Sequence, residues 1–315
     1  MKYRRLGHSG LKVSEISLGS WLTFGNTINA GQAESIIHKA YESGINFFDC
    51  ANVYAGGEAE RVMGKALNSF PRESFVVTTK AFWPMGEGPN DRGLSRKHII
   101  EQVHASLARM ELDYVDVFYC HRYDHETPLE ETLRAIDDLI RQGKILYAGV
   151  SEWTAAQIQE AVSIADRFLL NRIVVNQPQY NMFHRDAEEE IIPMSEKNGL
   201  SQVAWSPLAQ GVLTGKYKEG KIPQNSRAAN AEVNSWVKKI IDDIVTRKVE
   251  LLEEVANNLN ITMAQLALAW ILRQPNVAST LVGASHPDQI VENVQASEVI
   301  LSYEVLQRIE EILAI

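Results

Sequence analysis

The sequence predicts an α/β fold, a single (β/α)8 TIM barrel with an N-terminal β-hairpin and an extra C-terminal helix, as one domain over residues 1–315. Short apolar runs alternate eight times with amphipathic helical patterns. Strands joined by helical crossovers pair in parallel, and eight such units close a barrel. No linker or low-complexity segment interrupts the alternation, and 315 residues suit one large barrel.

The elements follow in order. Residues 3–6 and 12–14 are predicted to form the hairpin, with residues 8–10 as its turn. The barrel strands are predicted at residues 16–18, 46–50, 75–79, 115–119, 145–150, 173–176, 202–205 and 280–282. The helices are predicted at residues 32–43, 58–67, 96–110, 129–141, 155–168, 187–197, 236–259, 263–273, 287–294 and 303–313.

Start and stop signals support these bounds. Gly44 closes the first helix, whereas Ser95 and Thr154 are suitable N-caps for two later ones. The connection after the seventh barrel strand is long and contains Gly211, Gly215 and Gly220. Long loops at the top of a barrel usually carry function, so we expect part of the site there.

Composition narrows the class of protein. The formal net charge of −9 argues against a nucleic-acid partner, which usually requires a basic surface. No apolar stretch approaches the ~18 residues of a membrane span, and the first residues lack a signal-peptide pattern. Two cysteines cannot build a disulfide framework, so we expect a cytoplasmic protein.

Four ionisable residues lie at or just beyond strand ends. Asp49, Lys80 and His121 each close an apolar run, and Tyr54 follows Asp49 by five residues. Because the carboxyl ends of barrel strands meet on one face, we expect these four side chains to come together. Each alone is more simply a solvated or capping residue, but four at such positions indicate a catalytic group.

Their chemistry fits proton transfer. A free phenol titrates near ~10, and a neighbouring ammonium group is expected to lower that pKa. Asp49 would hold Lys80 charged, Tyr54 would donate the proton, and neutral His121 would orient a carbonyl oxygen. The set lacks a hydride donor, which a cofactor must supply.

A Rossmann-type dinucleotide site is not expected. Gly86-Glu87-Gly88 lies in a loop with no helix opening on it. In contrast, residues 281–285 run from a strand through small residues into a predicted helix start. Backbone N–H groups at such a place can bind phosphate.

Aromatic residues are expected around the substrate. Five residues follow strand ends and would line the mouth of the site, favouring apolar or aromatic aldehydes and ketones: Trp21, Phe82, Trp83, Arg122 and Tyr123. Cys50 and Cys120 alternate with the site residues and are expected to pack outward. No metal site is expected.

The chain resembles the aldo-keto reductase family over essentially its full length. The similarity is carried by residues 3–14, 18–21, 48–55 (FDCANVYA), 113–116, 143–145 and 205–208 (WSPL). Within the family it is most similar to the branch of the potassium-channel beta subunits. The resemblance implies that Asp49, Tyr54, Lys80 and His121 form the catalytic tetrad, with Tyr54 as general acid.

The resemblance also implies a cofactor. Lys216 and Arg227 match residues that clamp a 2′-phosphate, which favours NADPH/NADP+ over NADH. Glu152 stands where many family members have Asn, so the cofactor contact of that Asn is not assigned to Glu152. The implied cofactor-binding residues are Gly19, Ser20, Trp21, Asp49, Ser151, Gln177, Trp205, Ser206, Pro207, Leu208, Gly211, Lys216, Arg227, Gly283, Ser285, Gln289, Glu292 and Asn293. The implied substrate-binding residues are Trp21, Tyr54, Trp83, His121 and Arg122.

The function expected from the sequence is NADPH-dependent reduction of a small aldehyde or ketone. An oligomer is possible, since relatives include monomers and larger rings. Two alternatives stay open: an NADPH-binding, redox-sensing regulatory protein of the channel beta-subunit type, and a Schiff-base aldolase with Lys80 as nucleophile.

Overall fold

The computed structural model describes residues 1–217, 222–224, 226–231 and 233–315. Within these ranges eight parallel strands close a barrel in chain order, which confirms the predicted fold. The barrel strands are β3 (Ile16–Gly19), β4 (Phe47–Asp49), β5 (Val76–Ala81), β6 (Val115–Cys120), β7 (Ile145–Ser151), β8 (Ile173–Gln177), β9 (Ser201–Ala204) and β10 (Val277–Val282). β10 pairs with β3 and completes the closure.

Helices surround the barrel. They are α1 (Ala30–Glu42), α2 (Glu58–Leu67), α3 (Arg96–Met110), α4 (Leu129–Arg141), α5 (Ala155–Phe168), α6 (Ile191–Asn198), α7 (Ser235–Lys238), α8 (Asp243–Asn258), α9 (Met263–Leu272), α10 (Pro287–Val294) and α11 (Tyr303–Leu313). Their apolar faces pack on the outside of the strands, where Cys50 and Cys120 lie unpaired and buried. The two cysteines therefore face the helices, as their alternation with the site residues predicts.

The hairpin closes the amino-terminal end of the barrel. β1 (Tyr3–Arg5) pairs antiparallel with β2 (Lys12–Ser14). Leu6 and Val13 are fully buried among residues of the barrel interior. Arg4 donates to the backbone carbonyls of Leu272, Gln274 and Val277 and so ties the hairpin to the base of β10.

The structure differs from the predicted helices by more than two residues at an end in two places. The predicted helix at 187–197 becomes a 3-10 turn (Asp186–Glu188) followed by α6. Pro193 cannot donate a backbone hydrogen bond and fits only in the first turn of a helix, so α6 begins at Ile191. The predicted helix at 236–259 is broken before α8, because the Asp242 side chain accepts from the Val245 N–H and caps a new start. Gly220 lies outside the described residues.

No single helix in the described part of the chain is long and apolar enough to cross a membrane. The α8–α9 pair passes a test of length and composition together, but the two helices are bent by 89°. Every residue of α9 is buried within the protein.

Candidate active site

An ion pair lies at the carboxyl end of the barrel interior. The Lys80 ammonium, fully buried on β5, is 2.5 Å from Asp49 Oδ2 at the end of β4. Lys80 Nζ also donates to the Cys50 carbonyl at 2.8 Å. The other Asp49 oxygen accepts from Thr78 Oγ1 at 2.7 Å and from Gln177 Nε2 at 2.9 Å. Both charges are therefore satisfied and fixed in place, as a buried ion pair requires.

Tyr54 meets this pair from a tight turn. Lys80 Nζ donates to Tyr54 Oη at 3.4 Å. The turn is the 3-10 segment Tyr54–Gly57, in which Ala55, Gly56 and Gly57 all have positive φ. At φ +94° a Cβ on Gly57 would clash with Arg109 Cδ at 2.7 Å, so glycine is required there.

A second buried ion pair packs against the Tyr54 turn at Gly57. Arg109 on α3 is 2.5 Å from the Glu60 carboxylate on α2, and Glu60 is fully buried. The Thr79 hydroxyl, next to Lys80, also donates to Glu60. One carboxylate thus links α2, α3 and β5 around the turn that carries the phenol.

His121 lies beside the phenol, directly after β6. The Tyr54 and His121 rings meet edge to face with centroids 5.7 Å apart. Burial, the Lys80 charge and the Arg122 charge hold the pKa of the His121 imidazole well below its usual value. The ring is therefore neutral at neutral pH. Its Nδ1 is buried without a hydrogen-bond partner in the described structure.

The phenol of Tyr54 is a weaker acid than the sequence suggests. Burial raises the pKa of Tyr54 well above its usual value, and the Asp49 carboxylate adds to the effect. The expectation of a lowered pKa for Tyr54 is wrong for this structure, because burial is the largest effect and raises the pKa. Tyr54 is held fully protonated, the form that a proton donor needs.

Aromatic rings surround the opening above His121. Trp83 meets the His121 ring at 6.3 Å, and Trp21 meets Trp205 at 5.8 Å. The long connection between β9 and α8, here called the excursion, reaches the same opening. Its Trp236, on α7, packs edge-on against Trp21 at 5.3 Å. Sequence reasoning missed Trp236, whose only signal was its place in that excursion. Tyr123 turns away and packs on Trp153.

Glu152 has a role that the sequence did not predict. Its carboxylate accepts from Trp205 Nε1 at 2.8 Å and from the Gln179 N–H at 2.5 Å. The residue has φ +58°, which is uncommon for a side chain larger than glycine. It follows that Glu152 fixes the orientation of the Trp205 indole.

Comparison with known proteins places this arrangement in a family. The model of the aldo/keto reductase family matches residues 15–314. The chain belongs to the aldo/keto reductase family. Similar proteins include a "probable voltage-gated potassium channel subunit beta" of Arabidopsis thaliana, 48% identical over 99% of this chain and 97% of that protein.

Two further relatives carry similar names. A "probable voltage-gated potassium channel subunit beta" of Oryza sativa subsp. japonica is 47% identical over 99% of this chain and 96% of the relative. A "putative voltage-gated potassium channel subunit beta" of Schizosaccharomyces pombe is 44% identical over 99% and 93%. The predicted likeness to the channel beta-subunit branch of the aldo/keto reductases is confirmed.

Aldo/keto reductases are oxidoreductases that generally bind NAD(P)H, and two cations of this chain fit such an anionic group. Lys216 and Arg227 lie together in the excursion, where burial and the Arg227 charge lower the pKa of the Lys216 ammonium. Neither forms an ion pair with a carboxylate among the described residues. Arg227 donates to Gln210 Oε1, and Gln210 Nε2 donates to Ser206 Oγ at 2.8 Å. Two neighbouring cations that pair with no carboxylate of the described residues favour an anion between them.

Other residues that the family resemblance implies lie near the tetrad. Ser151, at the end of β7, donates to the Gln177 carbonyl at 2.9 Å, and Gln177 in turn donates to Asp49. Gly19 ends β3 and pairs with Asp49 in the barrel, and Ser20 Oγ donates to the Asp49 carbonyl at 3.0 Å. These contacts connect the implied cofactor residues of four strands to the ion pair.

The segment predicted to bind phosphate runs from the end of β10 to the start of α10. α10 begins after His286, and Gly283 and Ser285 are exposed. Gln289 Oε1 accepts from the Ser285 N–H at 2.9 Å and the His286 N–H at 3.4 Å. A side-chain oxygen thus occupies donors that a ligand oxygen could take over. Two further predicted cofactor residues on α10 are less exposed than Gly283 and Ser285: Asn293 is buried and Glu292 is half-buried.

Proposed function

We propose that this chain reduces aldehydes or ketones to alcohols with NADPH. The observation that carries the proposal is the contact of Tyr54 Oη with Lys80 Nζ, itself paired with Asp49, beside a neutral His121. These are the groups that a carbonyl reduction needs at the oxygen atom. NADPH, when bound, supplies the hydride to the carbonyl carbon.

The protein's own residues act on the oxygen. The His121 imidazole donates a hydrogen bond that orients the carbonyl toward Tyr54. As the oxygen gains negative charge, the Tyr54 O–H breaks and its proton moves to that oxygen. Lys80 stabilises the phenolate that remains, and Asp49 keeps Lys80 in place through both states. The carbonyl carbon gains a hydride, its oxygen gains a proton, and the product is an alcohol.

Lys216 and Arg227 support NADPH rather than NADH, since the extra phosphate of NADPH would give both cations an anionic partner. Trp205, oriented by Glu152, would stack on the nicotinamide, and Ser151 with Gln177 would hold its carboxamide. A cytoplasmic location fits the two unpaired, buried cysteines.

Replacing Tyr54 with Phe tests the proposal. Tyr54→Phe should leave the dissociation constant of NADPH within about twofold, because the phenol contacts Lys80 and the substrate oxygen. We expect carbonyl turnover to fall about 10²–10⁴-fold, the usual contribution of general acid catalysis. The measurement is NADPH oxidation at the nicotinamide absorbance band with simple aldehydes. Tyr303→Phe, at an exposed position of α11, is the matched control, and equal activity of both variants would disprove the role of Tyr54.

A second candidate function is regulatory, because three relatives are named as potassium channel beta subunits. In that case the chain would bind NADPH and respond to its redox state through a partner, with slow turnover. Rapid reduction of simple aldehydes by the isolated protein would favour the enzyme. Tight NADPH binding with turnover slower than about one per minute would favour the regulatory role.

A further inference from the structure

One cation at the opening of the site, Arg122, forms no ion pair with a carboxylate of the described residues. Arg122 directly follows His121 and is half-buried. Its Nη1 donates to the His121 carbonyl at 2.5 Å and lies 3.5 Å from Ser151 Oγ. No carboxylate pairs with it within the described ranges, although many other arginines of the chain form ion pairs.

The charge of Arg122 reaches the reacting groups. Together with burial and Lys80 it lowers the pKa of His121, and it opposes the effect of burial on Tyr54. Asp49 pairs with Lys80 at 2.5 Å, whereas no carboxylate of the described residues forms an ion pair with Arg122. A positive charge without a carboxylate at ion-pair distance among the described residues therefore lies next to the tetrad.

The guanidinium is also fixed in direction. Its central carbon lies 5.6 Å from the centre of the Trp83 ring, and Trp83 itself meets the His121 ring. Since Nη1 is anchored to the backbone, the Nε and Nη2 edge is left for a ligand. That edge is the one with which arginine binds a carboxylate through two parallel hydrogen bonds.

We propose that the preferred substrate is an aromatic aldehyde that also carries a carboxylate. The ring would pack among Trp21, Trp83 and Trp236, and the carboxylate would pair with Arg122 while the carbonyl lies at Tyr54 and His121. This assignment rests on the proposed reductase activity. Arg122 is then a specificity-determining residue, and the neutral aldehydes of the same size are poorer substrates.

The first test needs only the native protein. The ratio of kcat/KM is measured for 2-, 3- and 4-carboxybenzaldehyde against the methyl ester of each, which keeps the ring and the electron-withdrawing group but removes the charge. A charge-assisted hydrogen bond contributes about 1.5–3 kcal/mol, so the best acid should exceed its ester by about 10-fold or more. A ratio near one for all three isomers would overturn the proposal.

The second test changes the arginine. Arg122→Gln should lower the acid-to-ester ratio about 10-fold or more, and Arg122→Lys should keep an intermediate ratio because it retains the charge but loses the planar edge. Arg134→Gln, on the exposed face of α4, is the matched control and should keep the native ratio. An unchanged ratio in Arg122→Gln would refute the role of Arg122.

A binding measurement separates this inference from the reductase activity. Benzoate and benzyl alcohol are titrated against the NADPH complex, with tryptophan fluorescence as the readout. Tighter binding of benzoate by the native protein, lost in Arg122→Gln but kept in Arg122→Lys, would support the carboxylate site even if no aldehyde were reduced. Reduction of neutral aldehydes without benzoate binding would reject the site and leave the reductase activity standing.

Discussion

Tyr54 and His121 differ in chemistry, but the structure holds both in their neutral forms. Burial raises the pKa of the phenol and, with two nearby cations, lowers the pKa of the imidazole. A neutral donor pair avoids placing further uncompensated charge beside the buried Lys80–Asp49 pair. Both residues can therefore donate to a substrate oxygen at neutral pH without prior proton exchange.

The low pKa of His121 makes stability depend on pH. In the unfolded chain the imidazole titrates near ~6.5, whereas in the folded protein its pKa is well below that value. As the pH falls below about 6.5 the unfolded chain binds the proton first, so the free energy of unfolding falls until the folded pKa is reached. One such group contributes a slope of at most about 1.4 kcal/mol per pH unit.

We expect His121→Gln to remove this part of the slope. The free energy of unfolding is measured with urea at pH 7.5 and at pH 5.5. Its decrease between these two pH values should be about 1 kcal/mol smaller in the variant than in the native protein. His104→Gln, at an exposed position of α3, serves as the control and should keep the native slope. The same pH dependence in all three proteins would show that His121 is not held neutral.

At the scale of elements, the excursion after β9 contributes the cations and Trp236. Arg227 is anchored by Gln210, which also holds Ser206, so the three residues form a connected path toward Trp205. Arg227→Ala should weaken NADPH binding by about 10-fold or more, the equivalent of a charge-assisted hydrogen bond, and NADH binding by less than about twofold. Isothermal titration of both dinucleotides measures this.

Arg247→Ala, on the exposed face of α8, is the matched control for Arg227 and should leave both affinities unchanged. Comparable losses for NADPH and NADH in Arg227→Ala would mean that the arginine shapes the loop rather than binding the 2′-phosphate.

The sequence predicts the bounds of a helix well where residues within or next to that helix decide where it begins and ends. The predicted bounds of α2, α3, α4 and α5 agree with the structure to the residue, and α3 and α5 begin after the predicted caps Ser95 and Thr154. Strand ends are also local, and so Asp49, Lys80 and His121 could be recognised. Glu152 and Trp236 act on Trp205 and Trp21 from other elements, and no pattern within their own segments indicates those contacts.

At the scale of the whole molecule, the two ends of the barrel have different tasks. The carboxyl ends of the strands carry the tetrad and the proposed ligand sites. The amino-terminal end is sealed by the hairpin, whose Leu6 and Val13 pack on Phe47 and other interior residues. In such barrels the top face holds the chemistry and the bottom face contributes stability.

Leu6→Ala tests that separation. Leu6 is fully buried, and its removal should lower the free energy of unfolding by about 2–5 kcal/mol through lost burial and a residual cavity. Urea denaturation measures the loss, and Leu169→Ala, at a side chain that is 85% exposed, should change it by less than about 0.5 kcal/mol. Because Leu6 contacts the barrel from the end opposite to Tyr54, kcat and KM should stay within about twofold wherever the variant is folded. A folded Leu6→Ala variant with a much lower kcat would contradict this division of the barrel. It would mean that a change at the hairpin alters the Lys80–Asp49 pair through the packed interior between the two ends.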